Sequence, residues 1–83
     1  MNILAEKRKK IDDLDARITI LLAERLRIAA SLKELKKKAR DPRREAEVLE
    51  HAAGLIKDTN LRPAVLAVYR EIIKQSRLIQ LRP

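Results

Sequence analysis

Eighty-three residues carry twenty Lys and Arg against twelve Asp and Glu, a net charge of +8 that implies an anionic partner of unspecified kind. The absence of Cys excludes disulfides and thiolate metal sites, and the single histidine, His51, cannot build a zinc site or a Ser/His/Asp triad. One Gly, three Pro and one aromatic residue, Tyr69, predict a single all-α domain over residues 1–83 with an aliphatic core. The N-terminus has no apolar h-region, and aliphatic runs such as Ile20 to Ala23 are far too short to span a bilayer. A cytoplasmic protein that does not engage membranes is expected.

Leu4 to Lys38 contains neither Gly nor Pro, and its apolar residues recur at helical spacing. Ile11, Leu14, Ile18, Leu21, Ile28, Leu32 and Leu35 follow a 4-3 alternation, interrupted where Arg25 occupies an apolar position. The pattern predicts a first helix over about 4–39. At about 1.5 Å per residue it is roughly 50 Å long, more than a compact domain of this size is wide. A second copy of the chain is the expected cover for the overhang. From Lys33 to Arg44 the chain holds seven basic residues against Glu34 and Asp41.

Pro42 disfavours helix at the residue before it and suits the first helical position, so Asp41 reads as the N-cap of a second helix. That helix is expected over about 42–57, with Val48, Leu49, Ala52, Leu55 and Ile56 on one face. Gly54 within it costs about 1 kcal/mol relative to Ala. Asp58-Thr59-Asn60 punctuates the chain, and Asn60 suits the left-handed position after a helix. A third helix is expected over about 63–81, where Leu66, Tyr69, Ile73, Ser76 and Gln80 form one stripe.

The informative residues are polar groups on apolar faces. Lys36 follows Arg25 by eleven residues, which returns it to within roughly 20° of the same helical face. Asp41, Arg44, Glu45 and Val48 follow i, i+3, i+4, i+7 on the second helix, and Ser76 and Gln80 are i, i+4 on the third. Singly, each has a structural explanation: Arg25 could set coiled-coil register, Asp41 could be only a cap, and Ser76 could bond a carbonyl one turn back. Together, three helices direct polar groups inward with cations in excess, which describes a pocket for a small polyanion.

These residues carry a resemblance. Arg8-Lys-Lys-Ile-Asp-Asp-Leu-Asp15, Leu21-Leu-Ala-Glu-Arg25, Lys36, Asp41-Pro-Arg-Arg-Glu45 and Ile72-Ile-Lys-Gln-Ser76-Arg-Leu-Ile-Gln80 together resemble the all-helical chorismate mutases over nearly the whole chain. The resemblance implies an intertwined helical homodimer that converts chorismate to prephenate without metal or cofactor. By position, Arg25 and Arg44 would meet the carboxylates of this dianion, and Arg8 would do so from the neighbouring subunit. Lys36 and Gln80 would donate to the ether oxygen, Glu45 and the backbone near Asp41 would hold the ring hydroxyl, and Ser76 would contact the ring carboxylate. Ala29, Leu32, Val48 and Ile73 would form apolar walls. The link before Asp41-Pro42 is shorter than in the family, and Arg62 stands where an Asp cap is usual.

Helix geometry points the same way for Arg8. It lies seventeen residues before Arg25, about 25 Å along one helix and roughly 100° off its face. One small ligand therefore cannot touch both in a single chain, whereas two first helices crossing antiparallel near Ile18 bring them together. Three alternatives stand beside this reading. An isochorismate-pyruvate lyase shares the fold and basic pocket. A nucleic-acid-binding module using the Lys33–Arg44 run would bind in a steeply salt-dependent way, but leaves Ser76 and Gln80 unexplained. A purely structural coiled coil would turn nothing over.

Overall fold

A computed structural model describes residues 2–35 and 40–82. Helix α1 spans Ile3–Ser31 and passes into a 3-10 turn over Leu32–Glu34; α2 spans Pro42–Leu55 and α3 spans Arg62–Gln80. Each start has a local cause. The Asn2 side chain accepts a hydrogen bond from the Ala5 backbone N–H at 3.0 Å. Asp41 does the same for the Arg44 N–H at 3.1 Å, with Pro42 at the first position of α2. Leu61 supplies no side-chain cap to α3, where Pro63 sets the first turn.

The first helix leaves the α form earlier than its apolar pattern predicts. Ser31 Oγ donates to the Ile28 carbonyl at 2.5 Å, competing for the backbone acceptors of the last turn. The Leu32 N–H then bonds the Ala29 carbonyl, and the Leu35 N–H bonds the Leu32 carbonyl at 2.9 Å, the tighter i to i+3 pattern of a 3-10 turn. The remainder of the expected helix, including Lys36, falls on residues 36–39 and lies outside the described residues. The Lys33 ammonium donates to the Arg82 carbonyl, which ties this turn to the end of α3.

Helix α2 likewise ends one residue past Gly54, with Ile56 extended. A Cβ at Gly54 would meet nothing within 4 Å, so packing does not require glycine there; its weak helix propensity falls where the helix stops. Asn60 does not take the left-handed form, since no non-Gly residue among those described has positive φ. Instead the Asp58 carboxylate accepts from the Asn60 N–H and its carbonyl from the Leu61 N–H, both at 3.0 Å. This Asx-type turn is braced by Arg62, whose Nη2 donates to the Ile56 carbonyl at 3.2 Å.

Helix α3 packs against both α1 and α2. The molecule measures 56 × 28 × 14 Å with a radius of gyration of 15.7 Å, against about 12 Å for a compact chain of this length. Its smallest dimension barely exceeds the diameter of one helix, so helices lie side by side and none is covered all round. The buried apolar residues are Ala29, Ala52 and Ile73, and the buried polar ones are Ser76 and Gln80. On α1, Ile11, Leu14, Ile18 and Leu21 are between 49% and 60% exposed. This N-terminal part of the stripe is left uncovered among the described residues, whereas Ala29 further along α1 is buried. Among the described residues, no helix is long and apolar enough to cross a membrane.

Candidate active site

The polar groups that survive burial converge where α1, α2 and α3 meet. A cavity of about 240 Å³ is lined by Arg25 from α1, Arg44 and Glu45 from α2, and Ser76, Arg77 and Gln80 from α3, with Asp41 at the α2 cap. Ile28, Ala29, Leu32, Val48 and Ile73 supply its apolar wall. Helical periodicity explains the gathering. Arg25, Ile28 and Ala29 on α1 and Leu32 just beyond it are i, i+3, i+4, i+7, and Ile73, Ser76, Arg77 and Gln80 repeat that spacing on α3.

Arg25 is oriented by a relay. Its Nη1 donates to Ser76 Oγ at 2.7 Å, and Ser76 Oγ donates in turn to the Ile72 carbonyl at 2.8 Å. A serine hydroxyl has one proton, so Ser76 here accepts from Arg25 and has nothing left to donate to a ligand. Its side-chain partner among the described residues is the arginine, and it also lines the cavity. The charged donor facing the cavity is therefore Arg25, held by Ser76.

Gln80 is 8% exposed, and its Oε1 is buried without a hydrogen-bond partner among the described residues. Leaving such a group unpaired costs about 1–3 kcal/mol. A half-turn of the amide places N–H donors at the same point, so Gln80 can serve a ligand acceptor there. Arg44 is less constrained: its Nη1 lies 3.6 Å from Glu47 on an exposed face, an arrangement worth little and readily given up to a ligand. The Asp41 carboxylate is engaged with the Arg44 N–H. Three arginines and two carboxylates thus line the cavity, and both carboxylates have partners, the Arg44 N–H for Asp41 and the Arg77 guanidinium for Glu45.

Chemistry and geometry together describe a receptor for a compact anion with an additional hydrogen-bond acceptor. A family model described as Chorismate mutase type II matches residues 7–81. The chain belongs to that family. A chorismate mutase of Methanocaldococcus jannaschii is 32% identical over 82 residues, covering 93% of this chain and 83% of the relative. A bifunctional chorismate mutase/prephenate dehydratase of Aquifex aeolicus is 38% identical over 81 residues, covering 88% of this chain but 22% of that longer protein. No solved structure is significantly similar.

Of the residues that the family resemblance singles out, Arg25, Asp41, Arg44, Glu45, Ser76 and Gln80 line one cavity in a single chain. Arg8 does not; it is exposed on the N-terminal half of α1, away from that lining. Lys36 lies outside the described residues. Ile28 and Arg77 line the cavity without having been singled out as site residues from the sequence, and of the two Arg77 carries charge. Its signal was its spacing: it stands four residues after Ile73 and three before Gln80, on the edge of the α3 stripe.

Proposed function

We propose that the chain catalyses the rearrangement of chorismate to prephenate, a step of aromatic amino-acid biosynthesis carried out in the cytoplasm. The observation that carries this reading is a family chorismate mutase sequence whose inward polar residues line one cationic cavity. The reaction breaks the ether C–O bond as a new C–C bond forms, and it transfers no proton. The protein must therefore select the folded substrate conformer and stabilise negative charge developing on the ether oxygen. Arg25, held by Ser76, and Arg44 bind the carboxylates; Gln80 and Lys36 donate to the ether oxygen; Glu45 and the backbone near Asp41 accept the ring hydroxyl. Donors already in place, such as Arg25, act without reorganising during the reaction.

The test follows loss of chorismate absorbance with purified protein and identifies the product. Prephenate is expected, with turnover nearly flat from about pH 6 to 8 because no proton is moved. Release of pyruvate from isochorismate instead would assign the protein as a lyase. A bell-shaped profile centred near pH 7 would argue for acid–base chemistry.

The working unit is read as a homodimer. A sheet of helices 14 Å thick with an aliphatic stripe exposed along α1 has a surface that a second copy can cover. Antiparallel crossing near Ile18 would bring Arg8 of each chain toward the Arg25 cavity of the other. Ile18→Glu puts a charge at that crossing in both copies. Lost burial alone amounts to about 3–6 kcal/mol across two isoleucines, enough to raise the dissociation constant at least about a hundredfold. Sedimentation equilibrium should show a dimer for the unsubstituted protein and a monomer for the variant. A fully active unsubstituted monomer would remove the dimer reading.

A further inference from the structure

The contact between Arg77 and Glu45 joins α3 to α2 across the cavity. Arg77 Nη1 donates to Glu45 Oε1 at 3.0 Å and to Oε2 at 3.1 Å, with the two side chains 25% and 19% exposed. One nitrogen bridging both oxygens takes a lone pair from each and leaves another on each. The carboxylate is thereby fixed in plane while remaining able to accept a further proton donor from the cavity. A second ion pair of this carboxylate among the described residues, with Arg40, is 3.7 Å long, too far for a hydrogen bond, and its arginine is 63% exposed. Without Arg77, Glu45 would keep this loose ion pair as its cationic contact within 4 Å among the described residues.

The same pair forms the wall between two spaces. Arg77, Glu45 and Ile73 line the substrate cavity and also a second cavity of about 410 Å³ that holds Arg40, Arg70 and Lys74. Glu45 therefore has cations behind it that could draw it out of the substrate cavity. Arg77 is the one that bonds it at hydrogen-bond distance, and the bridge sets which way the free lone pairs face.

We propose that Arg77 is the positioning residue for Glu45, and that the bridged pair makes the enzyme prefer a substrate that carries a hydroxyl on its ring. This rests on the chorismate mutase reading. Arg77 touches no reacting atom; it acts by holding the acceptor where the ring hydroxyl arrives. A hydrogen bond to a properly held charged acceptor discriminates by about 10- to 100-fold. A carboxylate free to turn or withdraw loses most of that preference.

The test compares kcat/KM for chorismate and for the analogue whose ring hydroxyl is replaced by hydrogen. The unsubstituted protein should prefer chorismate by about 10- to 100-fold. Arg77→Met should narrow the preference to about threefold, with the loss falling on chorismate and the analogue nearly unaffected. Arg77→Lys, which keeps the charge but not the bridging guanidinium, should fall between, and it carries the test if Arg77→Met does not fold by circular dichroism. Adding Arg77→Met to Glu45→Gln should change the preference no further, as expected when two residues act as one unit. If Arg77→Met or Arg77→Lys slows both substrates by the same factor, Arg77 only holds the helices together and the proposal falls. It also falls if the unsubstituted protein shows no preference. Absence of chorismate turnover before any substitution overturns the mutase reading and this proposal with it.

Discussion

Arg8→Ala and Arg25→Ala proteins are each expected to lose activity by about 10²–10³-fold, and refolding the two together is expected to restore it. The reasoning begins with α1. Arg25 faces the cavity and bonds Ser76, whereas Arg8 is exposed well over ten residues away on the same helix. If both arginines serve one substrate, they must come from different chains. In a mixed dimer, one site takes Arg25 from the Arg8→Ala chain and Arg8 from the Arg25→Ala chain, so it is complete; the other lacks both. Random pairing of equal amounts makes half the dimers mixed, each with one good site, so recovery should approach about a quarter of the unsubstituted activity. Mixed dimers isolated with two different affinity tags and found inactive would remove Arg8 from the site, leaving the rest of the pocket in place.

Gln80→Glu is expected to lower turnover by about 10²–10³-fold at neutral pH and to recover as the pH falls. Gln80 is buried in the cavity, and its Oε1 has no hydrogen-bond partner among the described residues; turned over, the amide would present its N–H donors there, and the substrate ether oxygen is the acceptor proposed for them. An amide donates at any pH, whereas a carboxyl of nearly the same shape donates only when protonated. Burial and an electron-rich oxygen opposite both disfavour the carboxylate and raise the pKa of the new group above the usual glutamate value. The protonated, donating form therefore accumulates as pH drops, and kcat should rise from pH 8 to pH 5. Equal activity at both values would mean that Gln80 does not donate to the ether oxygen.

The charged residues around the cavity divide by what orients them. Ser76 holds Arg25, the Asx-type contact at Asp41 starts α2 just before Arg44 and Glu45, and Arg77 bridges Glu45. Arg44 alone rests on an exposed ion pair. An anion entering the cavity would therefore meet one preset guanidinium and one that has to swing in from Glu47.

Much of this arrangement was decided within single helices and is legible along the chain. Arg25 breaks the apolar alternation of α1, and Ser76 and Gln80 continue the apolar stripe of α3 one turn apart; a rotation of about 100° per residue places them inward whatever surrounds them. The Asp41-Pro42 start of α2 is equally local, because a cap and a proline act on the next few backbone groups. Other features depend on how helices meet. Ser76 lines the cavity, as its place on the α3 stripe predicts, but the approach of α1 decides that Arg25 donates to its hydroxyl. The first helix was expected to run to about residue 39, yet Ser31 turns back on Ile28 and the backbone tightens over Leu32–Glu34. Arg77 and Glu45 are 32 residues apart in sequence. Helical periodicity puts each on the flank of its own helix, but the register and crossing of α2 against α3 alone decide that the flanks touch. Periodicity describes one helix, whereas a contact between helices needs their relative rotation and offset, which depend on side chains packed along the whole length of both.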